Sequence, residues 1–159
     1  MELEECINNR RSIRKKYLDK PVSKETIIKL IEAAQKAPSW KNSQVSRYYV
    51  INTQEYKEKI LNCLAEFNKE NIKNAPVIIV SAIEKGISGF NKEGEYASHL
   101  KEGFQFFDNG LQVENLCLKA YELGLGTLIM GIYDSEKIRE ILNIPENQEI
   151  VAVIGIRLY

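Results

Sequence analysis

Three stretches of this chain hold residue types that could do chemistry. "RRSIRKK", Arg10 to Lys16, places five basic side chains in seven positions. A guanidinium is a planar fork of donors matched to phosphate oxygens, and a serine hydroxyl adds a further donor. Arg10, Ser12 and Arg14 alternate, so an extended segment points them to one side and converges them on a single anion. Taken alone, the cluster reads first as a solvated charge run at a helix end, and Lys15 and Lys16 are assigned that role. "APSWKNSQ", Ala37 to Gln44, lies between a predicted helix and a predicted strand. A loop there can offer backbone amides with Ser39, Asn42, Ser43 and Gln44 to a polar heteroaromatic ligand; by itself it is a Pro-Ser-Asn turn. Trp40 reads either as an exposed aromatic lid or as ordinary packing. "LGLGTLIMG", Leu123 to Gly131, has three glycines in nine residues but no GxGxxG, and it follows a helix instead of opening one. The dinucleotide fingerprint therefore fails, although small residues still allow close backbone approach to a flat ligand.

The rest of the composition narrows the chemistry. Lysine plus arginine equals aspartate plus glutamate at 22 each, so the basic excess of a general nucleic-acid binder is missing. A single histidine, His99, leaves little material for a histidine metal site or dyad. Cys6, Cys63 and Cys117 are odd in number and widely spaced, which suits free thiols in a reducing compartment. No Walker, HExxH or GxSxG motif is present. Asp108 and Glu114, six residues apart on a predicted helix, do not share a face and make no carboxylate dyad; Glu114 reads as a polar exit from the core. There is no membrane-spanning apolar run and "MELEECINNRR" has no hydrophobic leader stretch, so the expectation is a cytoplasmic chain with no membrane partner.

These residues need elements to position them. At 159 residues the chain is expected to form one domain, 1–159. "ELEECINNR" predicts a short helix with Leu3, Cys6 and Ile7 on one face. Ser23 caps a second helix through "KETIIKLIEAAQKA", stopped by Pro38. "SRYYVIN" reads as a strand and "TQEYKEKILNCLAEF" as one helix. "VIIVSAI" is a continuous apolar run that fits a buried central strand. Residues 84–103 read as a polar surface excursion. "FQFFDNGLQVENLCLKAYELG" predicts a long helix, apolar most of the way round and therefore central, with Gly124 ending it. "GTLIMG" is a short strand, Asp134 caps a small helix, and "EIVAVIGIRL" is the last strand. Helices and strands without a βαβ rhythm predict an α+β fold.

In order along almost the whole chain, "RRSIRKKYLDKPVSKETIIKLIEAAQKAPSWKNSQ", "NAPVIIV", "LCLKAYELGLGTLIMG" and "IREILNIPENQEIVAVIGI" resemble the nitroreductase family of FMN-dependent oxidoreductases. The resemblance implies a mixed, mainly antiparallel central sheet flanked by helices, with the long helix 104–123 in the core and at a dimer interface. It implies that Arg10, Arg11, Ser12 and Arg14 bind FMN, with Arg10 and Ser12 on the phosphate and Arg14 at the pyrimidine edge. A fixed cation there favours the reduced, negatively charged ring. Pro38, Ser39, Trp40, Asn42 and Gln44 are implied to contact the flavin held mainly by the other subunit of a homodimer. Asn68 matches the asparagine that pairs with the pyrimidine. Asn71 falls where some members have lysine, with Lys69 and Lys73 as nearby substitutes. Leu128 and Ile129 are implied to lie along the ring, and the amides of Met130 and Gly131 near N5, with no catalytic side chain.

Three departures accompany the resemblance. Val45-Ser46 replaces the usual Pro-Trp, the segment 84–103 has no diagnostic motif, and the sequence ends at Tyr159, where relatives continue into a tail that wraps the partner. The implied activity is ping-pong transfer of hydride from NADH or NADPH through FMN to a nitroaromatic, quinone or similar small acceptor, with Trp40, Tyr96, Phe104 and Phe107 as candidate lining. The alternatives are an FMN-binding or storage protein and a specialised reductase of the same superfold.

Overall fold

The computed structural model describes residues 1–14 and 20–158. Lys15 and Lys16, assigned above to solvated charge, lie outside the described residues. The chain runs through α1 (Leu3–Asn9), α2 (Lys24–Gln35), a 3-10 turn (Trp40–Asn42), β1 (Ser46–Ile51), α3 (Gln54–Leu61) and α4 (Glu66–Ile72). It continues through β2 (Val77–Glu84), α5 (Gly103–Glu122), β3 (Leu125–Met130), α6 (Ser135–Leu142) and β4 (Gln148–Leu158).

The four strands form one sheet in the order β1-β2-β4-β3, and every neighbouring pair is antiparallel. The expected α+β fold with a helix-flanked sheet is therefore present. Among the described residues the parallel component of the expected mixed sheet is a single bridge, between Ser12 and Thr127 at the free edge of β3. β2 is buried along Val77–Ile83 because helices cover both faces of the sheet. Ile78 and Val80 pack with Ile60, Ile72 and Ile138 under α3, α4 and α6. Val77 and Ile79 pack with Leu30, Leu116 and Ile156 under α2 and α5. Strand alternation divides neighbouring residues between two cores, which explains a run apolar but for Ser81 in a sheet with no parallel strand pair.

The helix ends follow the capping residues. Ser23 Oγ accepts from Thr26 N, Asp134 Oδ1 from Lys137 N, and Gly124 follows α5 at φ +74°, a left-handed conformation that glycine adopts without a Cβ penalty.

Three expectations are corrected. The single helix expected from Thr53 to Phe67 is two, because residues 63–65 leave the helix to pair with 132–134: Asp134 N donates to Cys63 O and Ala65 N to Ile132 O. On α1 only Cys6 is buried, while Leu3 and Ile7 stay exposed. α5 is less apolar than the expected helix apolar most of the way round: its buried face carries Gln105, Asp108, Asn109 and Gln112 before giving way to Val113, Leu116, Cys117 and Ala120. Phe106 and Phe107 face solvent.

Candidate functional site

The basic segment runs extended beside β3. Ile13 N donates to Thr127 O at 3.0 Å, and Ile13 is half-buried while Ser12 and Arg14 on either side of it are exposed. Arg11 is exposed as well and Arg10 is half-buried, so exposure does not alternate strictly along the segment. Because the Thr127 carbonyl points away from β4, alternation along the strand turns the peptide groups of Thr127 and Ile129 to the free edge. Those of Leu128 and Met130 turn toward β4. Among the side chains, Leu128 and Met130 are buried in the core under α3, α4 and α6, and Ile129 is exposed. On this strand the accessible apolar side chain is Ile129.

Arg10 Nε stands 3.3 Å from Glu114 Oε1 on α5. Glu114 is thus the counter-ion of the basic segment instead of a polar exit from the core. Arg11 Nη1 folds back to Arg10 O at 2.7 Å. Beneath this pair lies Cys117, whose thiol burial pushes up to about 11, against the opposing pull of a Thr127 hydrogen bond and the Arg10 charge. It is a packed thiol, protonated at neutral pH.

The loop before β1 is tightly held. Lys41, Asn42 and Gln44 have φ of 46°, 55° and 52°, a strained region for residues with a Cβ. Ser39 Oγ accepts from Gln44 N, Gln44 Nε2 donates to Asn42 Oδ1, and Arg47 Nη1 donates to Gln44 O. Pro38 is exposed at its entrance, and the Trp40 ring packs 4.7 Å from Phe104. Phe104 in turn meets Phe107, whereas Tyr96 pairs with Phe90, so the four aromatics named from the sequence divide between two groups.

Asn68 is buried on α4, while Asn71 is half-buried and its carbonyl accepts from Arg157 Nη1 at 3.1 Å. Lys69 and Lys73, the substitutes considered for a missing lysine, are engaged with Asn62 and Glu70 respectively.

The residues that sequence reasoning missed are the polar ones on α5. Gln105 accepts from Gly86 N, and Asp108 Oδ2 accepts from Trp40 N and Ser88 Oγ. Asn109 Nδ2 donates to Ser46 and Ser81, and Gln112 accepts from the Tyr48 hydroxyl, which burial pushes up to about 12. Their spacing of three, four and seven from Gln105 is a helical face and was legible as such, but amides and a carboxylate at core positions do not register as hydrophobic periodicity.

Within one chain the two halves of the candidate site stay apart. The Arg10–Arg14 segment borders β3 and the Ser39–Gln44 loop leads into β1, the opposite edges of the sheet, roughly 14 Å apart at ordinary strand spacing. On α5, Asp108 holds the loop and Glu114 holds Arg10; six residues along a helix turn through about 600°, which leaves them about 120° apart around the axis.

The α+β fold thus carries a basic segment at one edge of its sheet and a strained polar loop at the other. The Nitroreductase family model matches residues 7–156, and the chain belongs to that family. It is 31% identical over 153 residues to a protein of Methanothermobacter thermautotrophicus whose name couples NADH dehydrogenase with NAD(P)H nitroreductase, covering 92% of this chain and 72% of that one. It is 27% identical to an NAD(P)H-dependent FMN reductase of Bacillus subtilis, over 91% of this chain and 61% of that one. The crystal structure of a nitroreductase family protein from Clostridium novyi NT superposes with a TM-score of 0.84 at 28% identity, covering 99% and 85% of the two chains. Among the described residues no helix is long and apolar enough to cross a membrane.

Proposed function

We propose that the chain, as one domain, is an FMN-dependent oxidoreductase that takes electrons from NADH or NADPH and reduces a small acceptor such as a nitroaromatic or quinone. The observation that carries this reading is the Ser12–Thr127 bridge, which sets the basic segment at the free edge of β3. Two guanidiniums and a hydroxyl fit a phosphate and the electron-rich edge of a flavin, and Ile129 offers an apolar surface to its ring. Bound FMN supplies hydride transfer between the two substrates.

The residues of the chain bind and orient. Arg10, Arg11 and Ser12 hold the anion, and Arg14 places positive charge beside the ring. The Ile129 side chain and the Gly131 amide border it, with Leu128 and Met130 keeping the strand seated in the core. Asn68 and Asn71 approach from α4. Pro38, Ser39, Trp40, Asn42 and Gln44 belong to the same site through a second copy, because the two halves sit on opposite sheet edges within one chain. A homodimer with shared sites follows, and the exposed Phe106 and Phe107 of α5 provide apolar surface for it. The location expected is the cytoplasm.

The test is the visible spectrum of the purified protein, followed by anaerobic addition of NADH or NADPH. A flavin spectrum that bleaches rapidly supports the reading and identifies the donor. A flavin spectrum that persists supports FMN storage, and a protein that takes up no FMN refutes both.

A further inference from the structure

A buried carboxylate joins two segments that the sequence leaves unrelated. Asp108 is 2% exposed and accepts at one oxygen, Oδ2, from Trp40 N at 2.9 Å and from Ser88 Oγ at 2.6 Å. A hydroxyl has one proton, and that of Ser88 is spent on Asp108. The 2.6 Å contact between Ser43 and Ser88 is therefore donated by Ser43. The chain of bonds starts at Ser43, passes through Ser88 to Asp108, and returns through Trp40 N to the same loop three residues earlier.

Both ends of this circuit need support. The loop holds three non-glycine residues at positive φ within four positions. Ser88 is fully buried, and Gly89 beside it stands at φ +88° where a Cβ would lie 2.3 Å from Lys101 O. Residues 84–103 are thus no free surface excursion at this point. One turn before Asp108, Gln105 accepts from Gly86 N, so the same face of α5 fastens that segment twice. Charge-assisted bonds to a carboxylate are about twice as strong as neutral ones and polarise the serine chain behind them.

We infer that Asp108 is a positioning residue: it locks the Ser39–Gln44 loop to residues 86–89 as one unit and thereby sets where Trp40 and Asn42 meet cofactor and acceptor. The effect on the cofactor rests on the flavin reading above; the locking itself does not.

Trp40 is the single tryptophan of the chain, so its emission reports the loop directly. The experiment measures emission maximum, acrylamide quenching and FMN affinity for the full chain and for Asp108→Ala, Asp108→Asn and Ser88→Ala, alongside thermal unfolding. Asp108→Ala is expected to red-shift Trp40, make it more quenchable, and weaken FMN about tenfold, the scale of one lost bond to a charged group. Asp108→Asn, whose amide oxygen can take the place of Oδ2, recovers most of the loss. Ser88→Ala, which keeps the Trp40 bond but cuts the tie to residues 86–89, gives a smaller shift in the same direction.

A folded Asp108→Ala with wild-type emission and quenching and only a lower melting temperature overturns the proposal. If that variant does not fold, Ser88→Ala decides: unchanged emission overturns the proposal, and a shift supports it. If the unaltered chain takes up no FMN, the flavin reading fails while the tryptophan measurements still decide whether Asp108 locks the loop.

Discussion

Glu114→Gln tests the phosphate end of the site without touching a residue proposed to contact the ligand. In the structure Glu114 Oε1 lies 3.3 Å from Arg10 Nε, with side chains 51% and 28% exposed. An ion pair this open to water is worth about 0.2–1 kcal/mol. A phosphate that recruits Arg10 must first displace this partner. Removing the carboxylate charge returns at most that energy, which converts to FMN binding roughly 1.4- to 5-fold tighter. The assay is a flavin fluorescence titration of wild type and variant at two ionic strengths, with riboflavin as the control lacking a phosphate. Tightening should be confined to FMN and should shrink as salt screens the exposed charges. A variant that binds FMN more weakly, or that tightens riboflavin equally, refutes the reasoning: Glu114 would then orient Arg10 or act on the ring, and Arg10 would not be the phosphate residue.

Other perturbations follow from the same geometry. Leu116→Ala, at a fully buried position between α5 and the sheet, should destabilise by about 2–5 kcal/mol, read from the urea midpoint at constant slope. Asp134 is held below the usual carboxylate range, first by the Lys137 backbone N–H it caps. Its folded value is depressed, so its contribution is present above the unfolded carboxylate value and lost as pH falls through the folded one. Asp134→Asn should flatten that acid limb in pH-dependent melting, and an unchanged limb would contradict it. Finally, Cys6, Cys63 and Cys117 are all buried, with burial raising the Cys63 and Cys117 thiols. A disulfide reagent at pH 8 should find no fast thiol in the native protein and three in urea; a fast native thiol would show that one of these sites opens.

How far the sequence reaches can be seen in individual residues. The caps at Ser23 and Asp134 and the stop at Gly124 were legible because they depend on the few residues around them. β2 was legible because covering both faces of a strand fills it with apolar residues, Ser81 alone excepted between Val77 and Ile83.

Tertiary structure decided what those residues meet. The break between α3 and α4 arises because residues 63–65 pair with 132–134, some 70 positions away in sequence, and no local pattern announces it. Which strand the basic segment borders, and hence that Glu114 opposes Arg10, depends on a single bridge to Thr127. Asp108 gave no signal beyond a buried charge on a helix, because its partners at Trp40 and Ser88 come from two other segments. Local propensity and periodicity determined the elements and their faces. Long-range pairing, in which side chains satisfy buried donors brought from distant segments, determined the site.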